Sequence, residues 1–198
     1  TKDKIESLVS GQHRQYPTTH LPLQGLHNLE NMMAAIAMAE AAGISQNIIQ
    51  SALEDFKPLP HRLELVRSMN GVRYYDDSKG TNVGAVVMSL ASFDEPILLI
   101  LGGKDKGGDY EILKSLLRHK VKALLLIGEA APKLASTFQG VVPLYKVDTL
   151  EKAVRQAHQL AESGDVVLLS PACSSFDQFR DYKHRGDEFV RLVNTLLN

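Results

Sequence analysis

Ile97-Leu98-Leu99-Ile100-Leu101-Gly102-Gly103-Lys104-Asp105-Lys106-Gly107-Gly108-Asp109 decides the fold. Five apolar residues in a row, with no polar alternation, predict a strand buried on both faces. The run is far short of the ~20 residues a membrane span needs. Four glycines follow at once, which is a strand exit whose backbone can approach a ligand closely. The same signature recurs at residues 123–127 and 166–169, and a shorter one at 142–145. Helical patterns lie between and after them at about 110–119, 131–138 and 150–161, and in a last helix ending at Leu197. Upstream, residues 63–69 and 72–75 are β-prone and flank Asn70-Gly71, a strong hairpin signal. A polar loop at 76–81 then leads into a helix with Val83, Val86, Val87 and Leu90 on one stripe. Alternating buried strands and helices predict an α/β, doubly wound, mostly parallel sheet with flanking helices. Ligands of such sheets bind at the carboxyl ends of the strands.

Before residue 57 the pattern changes. Leu29, Met32, Met33 and Ile36 form an amphipathic stripe, with Asn28 placed to cap the helix and Gly43 to close it. A second helix is expected over about 45–56, and no strong strand alternation precedes them. Pro58 and Pro60 interrupt any continuing helix. These features divide the chain into a mainly helical part, 1–57, and an α/β part, 58–198. Two helices make a small independent domain, so the first part is expected to pack on something further.

Charge and cysteine content narrow the function classes. Lys plus Arg is 22 and Asp plus Glu is 23, a formal net charge of −1. That balance argues against unselective nucleic-acid binding, which needs a basic footprint. Hydrophobic residues at 44% supply a core, so the chain is not mainly disordered. A single cysteine, Cys173, allows no intrachain disulfide, and a reducing cytoplasmic setting is the simplest reading. The start, Thr1-Lys2-Asp3-Lys4, lacks the apolar core of a signal peptide and an initiator methionine, which hints at a fragment or processed product.

Three strand exits could carry chemistry. Asp76-Asp77-Ser78-Lys79-Gly80-Thr81-Asn82 gathers carboxylates, hydroxyls and an ammonium at a helix start. It suits a charged ligand, or a simple cap by Thr81 or Asn82. The glycine loop with Lys104 and Lys106 offers positive charge or a plain exposed turn. It is not a P-loop, and neither that motif nor G-x-G-x-x-G occurs in the chain. The third exit is Ser170-Pro171-Ala172-Cys173-Ser174-Ser175-Phe176-Asp177-Gln178-Phe179. There Cys173 could be a nucleophile, but its apolar neighbours suit a buried structural thiol. His27-Asn28-x-x-Asn31 puts two amides at one helix end, able to face an adenine edge. Arg62 adds a guanidinium suited to phosphate or carboxylate. No cysteine–histidine cluster has zinc spacing, and the other histidines read as surface or packing residues.

In order along the chain, H-N-x-x-N, L-P-H-R, D-S-K-x-T-N, L-G-G-x-x-K and S-P-A-C-x-S-x-D-Q-F resemble the Mur ligases, ATP-dependent amide-forming enzymes of peptidoglycan synthesis. The match runs from about Gly25 to the C-terminus, and its last three motifs look most like the D-glutamate-adding type. The resemblance implies a Rossmann-like C-terminal domain at 58–198, preceded by the helical tail of the central ATPase domain at 1–57. It implies addition of D-glutamate to UDP-N-acetylmuramoyl-L-alanine through an acyl phosphate, by a cytoplasmic, monomeric enzyme binding neither nucleic acid nor membrane. ATP and Mg2+ are the implied cofactors. The P-loop, the UDP-binding domain and the metal ligands, a carbamylated lysine among them, are expected in a missing upstream part, so the chain alone is expected to be inactive.

Residue by residue, the resemblance implies Asn28 and Asn31 near adenine, Arg62 on the nucleotide and Asp77 near ribose or phosphate. Lys79, Thr81, Lys106, Ser175, Phe176 and Tyr182 would surround D-glutamate, with Lys79 and Lys106 as the catalytic pair. Tyr182 stands where the family often has phenylalanine, and spacing before Gly107-Gly108-Asp109 favours Lys106 over Lys104. Two other classes stay open: a stand-alone nucleotide- or amino-acid-binding module, and a sister ligase adding a different residue. The D-[DN]-P-R signature of the diaminopimelate ligases is absent.

Overall fold

A computed structural model describes residues 3–21, 26–57 and 59–197, with the side chains of Ser10, Leu26 and His27 outside that description. His27 as a motif side chain, Gly25 and Pro58 therefore lie outside the described residues. The chain forms two compact units, Thr1–Leu59 and Pro60–Asn198.

The first unit is not helical alone. Strands β1 (Lys4–Ser7) and β2 (Arg14–Pro17) pair antiparallel, and helices α1 (Leu26–Ala41) and α2 (Gln46–Asp55) follow. Its core joins Ile5 and Tyr16 of the strands to Met32, Ile36 and Ile49 of the helices. The strand pair corrects the expectation of a mainly helical segment. Each strand is four residues long and contributes one of these core side chains, so no period-2 pattern could form. Glu40 of α1 is buried and accepts hydrogen bonds from Ser7 Oγ at 2.5 Å and Tyr16 OH at 2.7 Å. Those two donors, Ser7 first, hold its carboxyl below the ordinary range. Gly43 closes α1 at φ +80°, where Gly43 N–H donates to Glu40 O and Ile44 N–H to Ala39 O. These are the paired bonds of a left-handed helix stop.

The second unit is a six-stranded sheet. Its strands are β3 (Glu64–Met69), β4 (Val72–Asp76), β5 (Ile97–Gly102), β6 (Val121–Ile127), β7 (Leu144–Asp148) and β8 (Val166–Leu169). The spatial order is β3-β4-β8-β5-β6-β7. Only β3 runs antiparallel, joined to β4 by Asn70 and Gly71, both at positive φ as a primed hairpin turn requires. The other neighbours pair parallel.

Every residue of β5 and β8 is buried. Period 2 then divides β5 between two cores. Ile97, Leu99 and Leu101 pack with α3 (Val83–Ala91), α4 (Lys114–Lys120) and α5 (Ala131–Thr137), while Leu98 and Ile100 pack with α6 (Leu150–Leu160) and α7 (Tyr182–Asn194). At ~25 cal/mol per Å2 of apolar area, a double-sided apolar sheet is the main stabilising element. The helix expected at 110–119 is a tight 3-10 turn, Tyr110–Leu113, leading into α4, because Asp109 caps it by accepting from Glu111 N–H. The strand expected at 142–145 is observed as β7, and the last helix stops at Asn194. Among the described residues no helix is long and apolar enough to cross a membrane.

Candidate functional site

Strand order builds the site. Because β8 inserts between β4 and β5, the exits of β4, β5 and β8 are neighbours at the carboxyl edge of the sheet. Backbone bonds then stitch the loops together. Gly102 N–H donates to Pro171 O and Ala172 N–H to Gly80 O, both at 2.9 Å, while Lys104 and Ser174 exchange bonds of 2.9 and 3.2 Å. Gly103, at φ +132°, is required here: a Cβ would collide with the Ser174 carbonyl. This crossing explains why the motif needs glycine directly after the strand.

The loops enclose a cleft of about 390 Å3 lined by Thr81, Lys104, Asp105, Lys106, Ser174, Ser175, Phe176, Asp181 and Tyr182. Of the expected amino-acid-binding residues, Thr81, Lys106, Ser175, Phe176 and Tyr182 thus meet in one place. Lys79 borders it, its Nζ 4.0 Å from the centre of the Tyr182 ring. Asn82, not Thr81, caps α3 by accepting from Ala85 N–H at 2.9 Å, which leaves the Thr81 side chain to the cleft. Phe176 is 66% exposed on the rim. Lys104 and Lys106 are exposed and, with Lys79, make no ion pair among the described residues.

Beneath the cleft lies a layer of buried polar groups that the sequence pattern did not single out. Arg185 of α7 is fully buried. Its Nε donates to Ser78 Oγ at 3.0 Å, Nη2 to Ser78 O at 2.9 Å, and Nη1 and Nη2 to Cys173 O at 3.2 Å each. One guanidinium therefore ties the β4 exit to the β8 exit. Burial lowers its pKa to about 10, so it stays charged at neutral pH. Its signal in the sequence was a cation on an apolar helix stripe, four residues before Phe189. His61 is also buried, with Nδ1 2.7 Å from Asp76 Oδ2 and Nε2 3.5 Å from Asp187.

Asp77 is 5% exposed, and its Oδ2 accepts from Ser89 Oγ at 2.6 Å and Ser170 Oγ at 2.7 Å. Burial, the larger influence, raises its pKa despite these donors. Through Oδ2 its carboxylate anchors α3 to the β8 exit. Arg62 is exposed beside His61 and does not line the cleft. Asn28 and Asn31 belong to the first unit. The helix starts at Leu26, so Asn28 sits within the first turn of α1 and is not its cap; Asn28 is buried and Asn31 exposed.

Cys173 is fully buried with its Sγ 3.1 Å from Tyr110 OH, and burial pushes the thiol pKa up. A thiolate nucleophile needs the opposite environment. The native protein is expected to leave Cys173 unmodified by an aromatic disulfide reagent and to titrate one thiol after unfolding. Fast labelling under native conditions would show the pocket to be open.

Residues 61–173 match the family described as "Mur ligase, glutamate ligase domain". The chain is 49% identical over 187 residues to the UDP-N-acetylmuramoylalanine–D-glutamate ligase of Syntrophotalea carbinolica, covering 94% of this chain and 42% of that protein. It is 50% identical over 186 residues to the ligase of the same name from Geotalea daltonii, covering 94% and 41%. The chain thus spans less than half the length of these relatives. Among solved structures, the MurF ligase of Thermotoga maritima in complex with ADP superposes with a TM-score of 0.66 at 18% identity, over 96% of this chain and 42% of that one, a likeness of fold. With the matched segment spanning the β4 and β5 exits and reaching Cys173 of the β8 exit, the chain belongs to the Mur ligase family.

Proposed function

We propose that this chain is the amino-acid-delivering part of an ATP-dependent ligase that joins D-glutamate to UDP-N-acetylmuramoyl-L-alanine in peptidoglycan synthesis. The observation that carries the reading is the cleft at the β4, β5 and β8 exits. A dicarboxylic amino acid presents two anionic ends and a short methylene stem. Lys79, Lys104 and Lys106 offer ammonium groups without carboxylate partners among the described residues, Thr81 and Ser175 offer hydroxyls, and Phe176 and Tyr182 offer an apolar edge. Charge-assisted bonds to both carboxylates would fix the orientation of the amine.

In the proposed reaction ATP phosphorylates the carboxylate of the UDP-linked substrate. The D-glutamate amine attacks the acyl phosphate, and phosphate leaves the tetrahedral intermediate. What the described cleft contributes is position, which converts an encounter of two bound reactants into an effectively unimolecular step. Asn28, Asn31 and Arg62 are assigned to the nucleotide on the motif resemblance. ATP and a UDP-linked substrate imply a cytoplasmic reaction, and a monomer is assigned on the motif resemblance.

Magnesium is not assigned to residues of this chain. Among the described residues the one grouping of metal-capable side chains is His61, Glu64 and Asp76. Its members are already engaged: His61 Nδ1 with Asp76, and Glu64 as acceptor from His61 N–H at 2.9 Å. A magnesium ion prefers octahedral oxygen ligands and water, so this set does not fit.

The test is phosphate release by the protein carrying the remaining length of its relatives, with ATP, the UDP-linked substrate and one amino acid at a time. D-glutamate is expected to support release, while L-glutamate, L-lysine and diaminopimelate are not. The 198-residue chain by itself is expected to form no amide. Release that ignores D-glutamate would sink the proposal, and release with diaminopimelate alone would move it to a sister ligase.

A further inference from the structure

Asp105 stands between the two lysines of the β5 exit and lines the same cleft. A carboxylate facing an anionic ligand should weaken binding, so its presence needs a reason. Its oxygens are spent elsewhere. Oδ1 accepts from Tyr110 OH at 2.7 Å and from Gly107 N–H at 2.9 Å, and Oδ2 accepts from Lys133 Nζ at 2.6 Å. Lys133 lies on α5 and also stands 5.1 Å over the Tyr110 ring. Tyr110 OH in turn meets Cys173 Sγ of the β8 exit at 3.1 Å. One side chain therefore fastens the loop to a helix, to the 3-10 turn and, through Tyr110, to the neighbouring strand exit.

The loop needs such an anchor. Lys104 is held by its paired backbone bonds to Ser174, but beyond it the tether is Lys106-Gly107-Gly108. Two adjacent glycines have the largest conformational freedom to lose. The carboxylate supplies what a ladder bond would supply elsewhere, and Lys133 neutralises it so that the cleft keeps its positive character. Lys133 and Tyr110 hold the carboxyl well below its ordinary value, at about 2, so the anchor is ionised throughout the physiological range.

We propose that Asp105 is a positioning residue that acts through Lys106, fixing that ammonium toward the cleft while its own charge is cancelled by Lys133. The inference rests on the D-glutamate reading above. Asp105 does not touch substrate in this account, and Tyr110, Lys133 and Cys173 are parts of the same clamp.

The decisive experiment is a double-mutant cycle in the upstream-extended ligase. Asp105→Asn is expected to raise the KM for D-glutamate roughly tenfold, with the ATP KM and the saturated kcat within about twofold of wild type. In a Lys106→Ala background the same substitution is expected to change nothing further. An unchanged KM in the single variant overturns the proposal, and so does a full multiplicative effect on top of Lys106→Ala. If the wild-type ligase ignores D-glutamate, the functional reading fails and the clamp is judged on the 198-residue chain. There Asp105→Ala is expected to speed hydrogen exchange of the Gly107 amide about tenfold at an unaltered thermal midpoint. Equal exchange rates would overturn the clamp on its own.

Discussion

Lys106→Ala is expected to raise the KM for D-glutamate roughly ten- to hundredfold in the upstream-extended ligase. The estimate follows from the loss of one hydrogen bond to a charged group, ~1.5–3 kcal/mol, at 1.4 kcal/mol per factor of ten. Lys106 is exposed on a cleft lined also by hydroxyls and two aromatic rings; it makes no ion pair among the described residues, and the Asp105 carboxylate beside it is paired with Lys133. Because the loss is of ground-state and transition-state binding alike, KM should rise more than kcat falls. Steady-state phosphate release at varied D-glutamate reads both. Lys104→Ala in parallel divides the work between the two lysines: an effect on Lys104 alone, with Lys106→Ala silent, would move the substrate contact two residues upstream. A silent pair would remove the β5 exit from the binding site.

Arg185→Met is expected to lower the thermal midpoint of the second unit by roughly 10 °C, from a net loss of ~2–4 kcal/mol. Two effects oppose each other here. Burying a guanidinium is costly, as its pKa near 10 records, and methionine relieves that cost. Against this, Ser78 O and Cys173 O lose the donors that satisfy them inside the fold, at ~1–3 kcal/mol each. The second effect should win because methionine offers no donor and both Ser78 and Cys173 are fully buried. Arg185→Lys should fall between, since an ammonium keeps the charge but not the planar fork that reaches Ser78 and Cys173 together. Differential scanning calorimetry checks the order. A midpoint shift below about 2 °C for Arg185→Met would mean that the tie between the loops carries little of the stability.

Much of the α/β unit was legible because its strands are buried on both faces and its helices on one. A five-residue apolar run such as residues 97–101, stopped by Gly102-Gly103, reads as a core strand by its length and flanks, and Asn70-Gly71 between β-prone runs reads as a hairpin. The first unit was less legible. Its strands contribute single core residues, Ile5 and Tyr16, and a single apolar position has no period. The capping role expected of Asn28 failed for a related reason, since Asn28 lies inside α1, whose first described helical residue is Leu26, three before the Leu29 that a cap at Asn28 implies.

The site residues divide in the same way. Of those lining the cleft, Thr81, Lys106, Ser175 and Phe176 lay on strand exits that stood out for their glycines, hydroxyls and charges, while Tyr182 came from the motif resemblance. Asp77 stood out by the same signal, yet its carboxylate is turned inward to Ser89 and Ser170. Residue type and loop position tell that a group is placed for polar work. They do not tell which side of the loop it faces. Arg185 and the Asp105–Lys133 pair were silent because each acts through a partner distant in sequence, 107 residues away for Ser78 and 28 for Lys133.

Hydrophobic period, turn residues and glycine placement are local properties, so in the second unit the sequence by itself determined the strands, the helices between them and the loops that end them. Strand order is not local. A strand apolar on both faces is equally content beside any other such strand, because burial is non-directional and scales with area. Only the packed sheet decides that β8 lies between β4 and β5. That one insertion brings Thr81, residues 104–106, residues 174–176, Asp181 and Tyr182 to a single cleft.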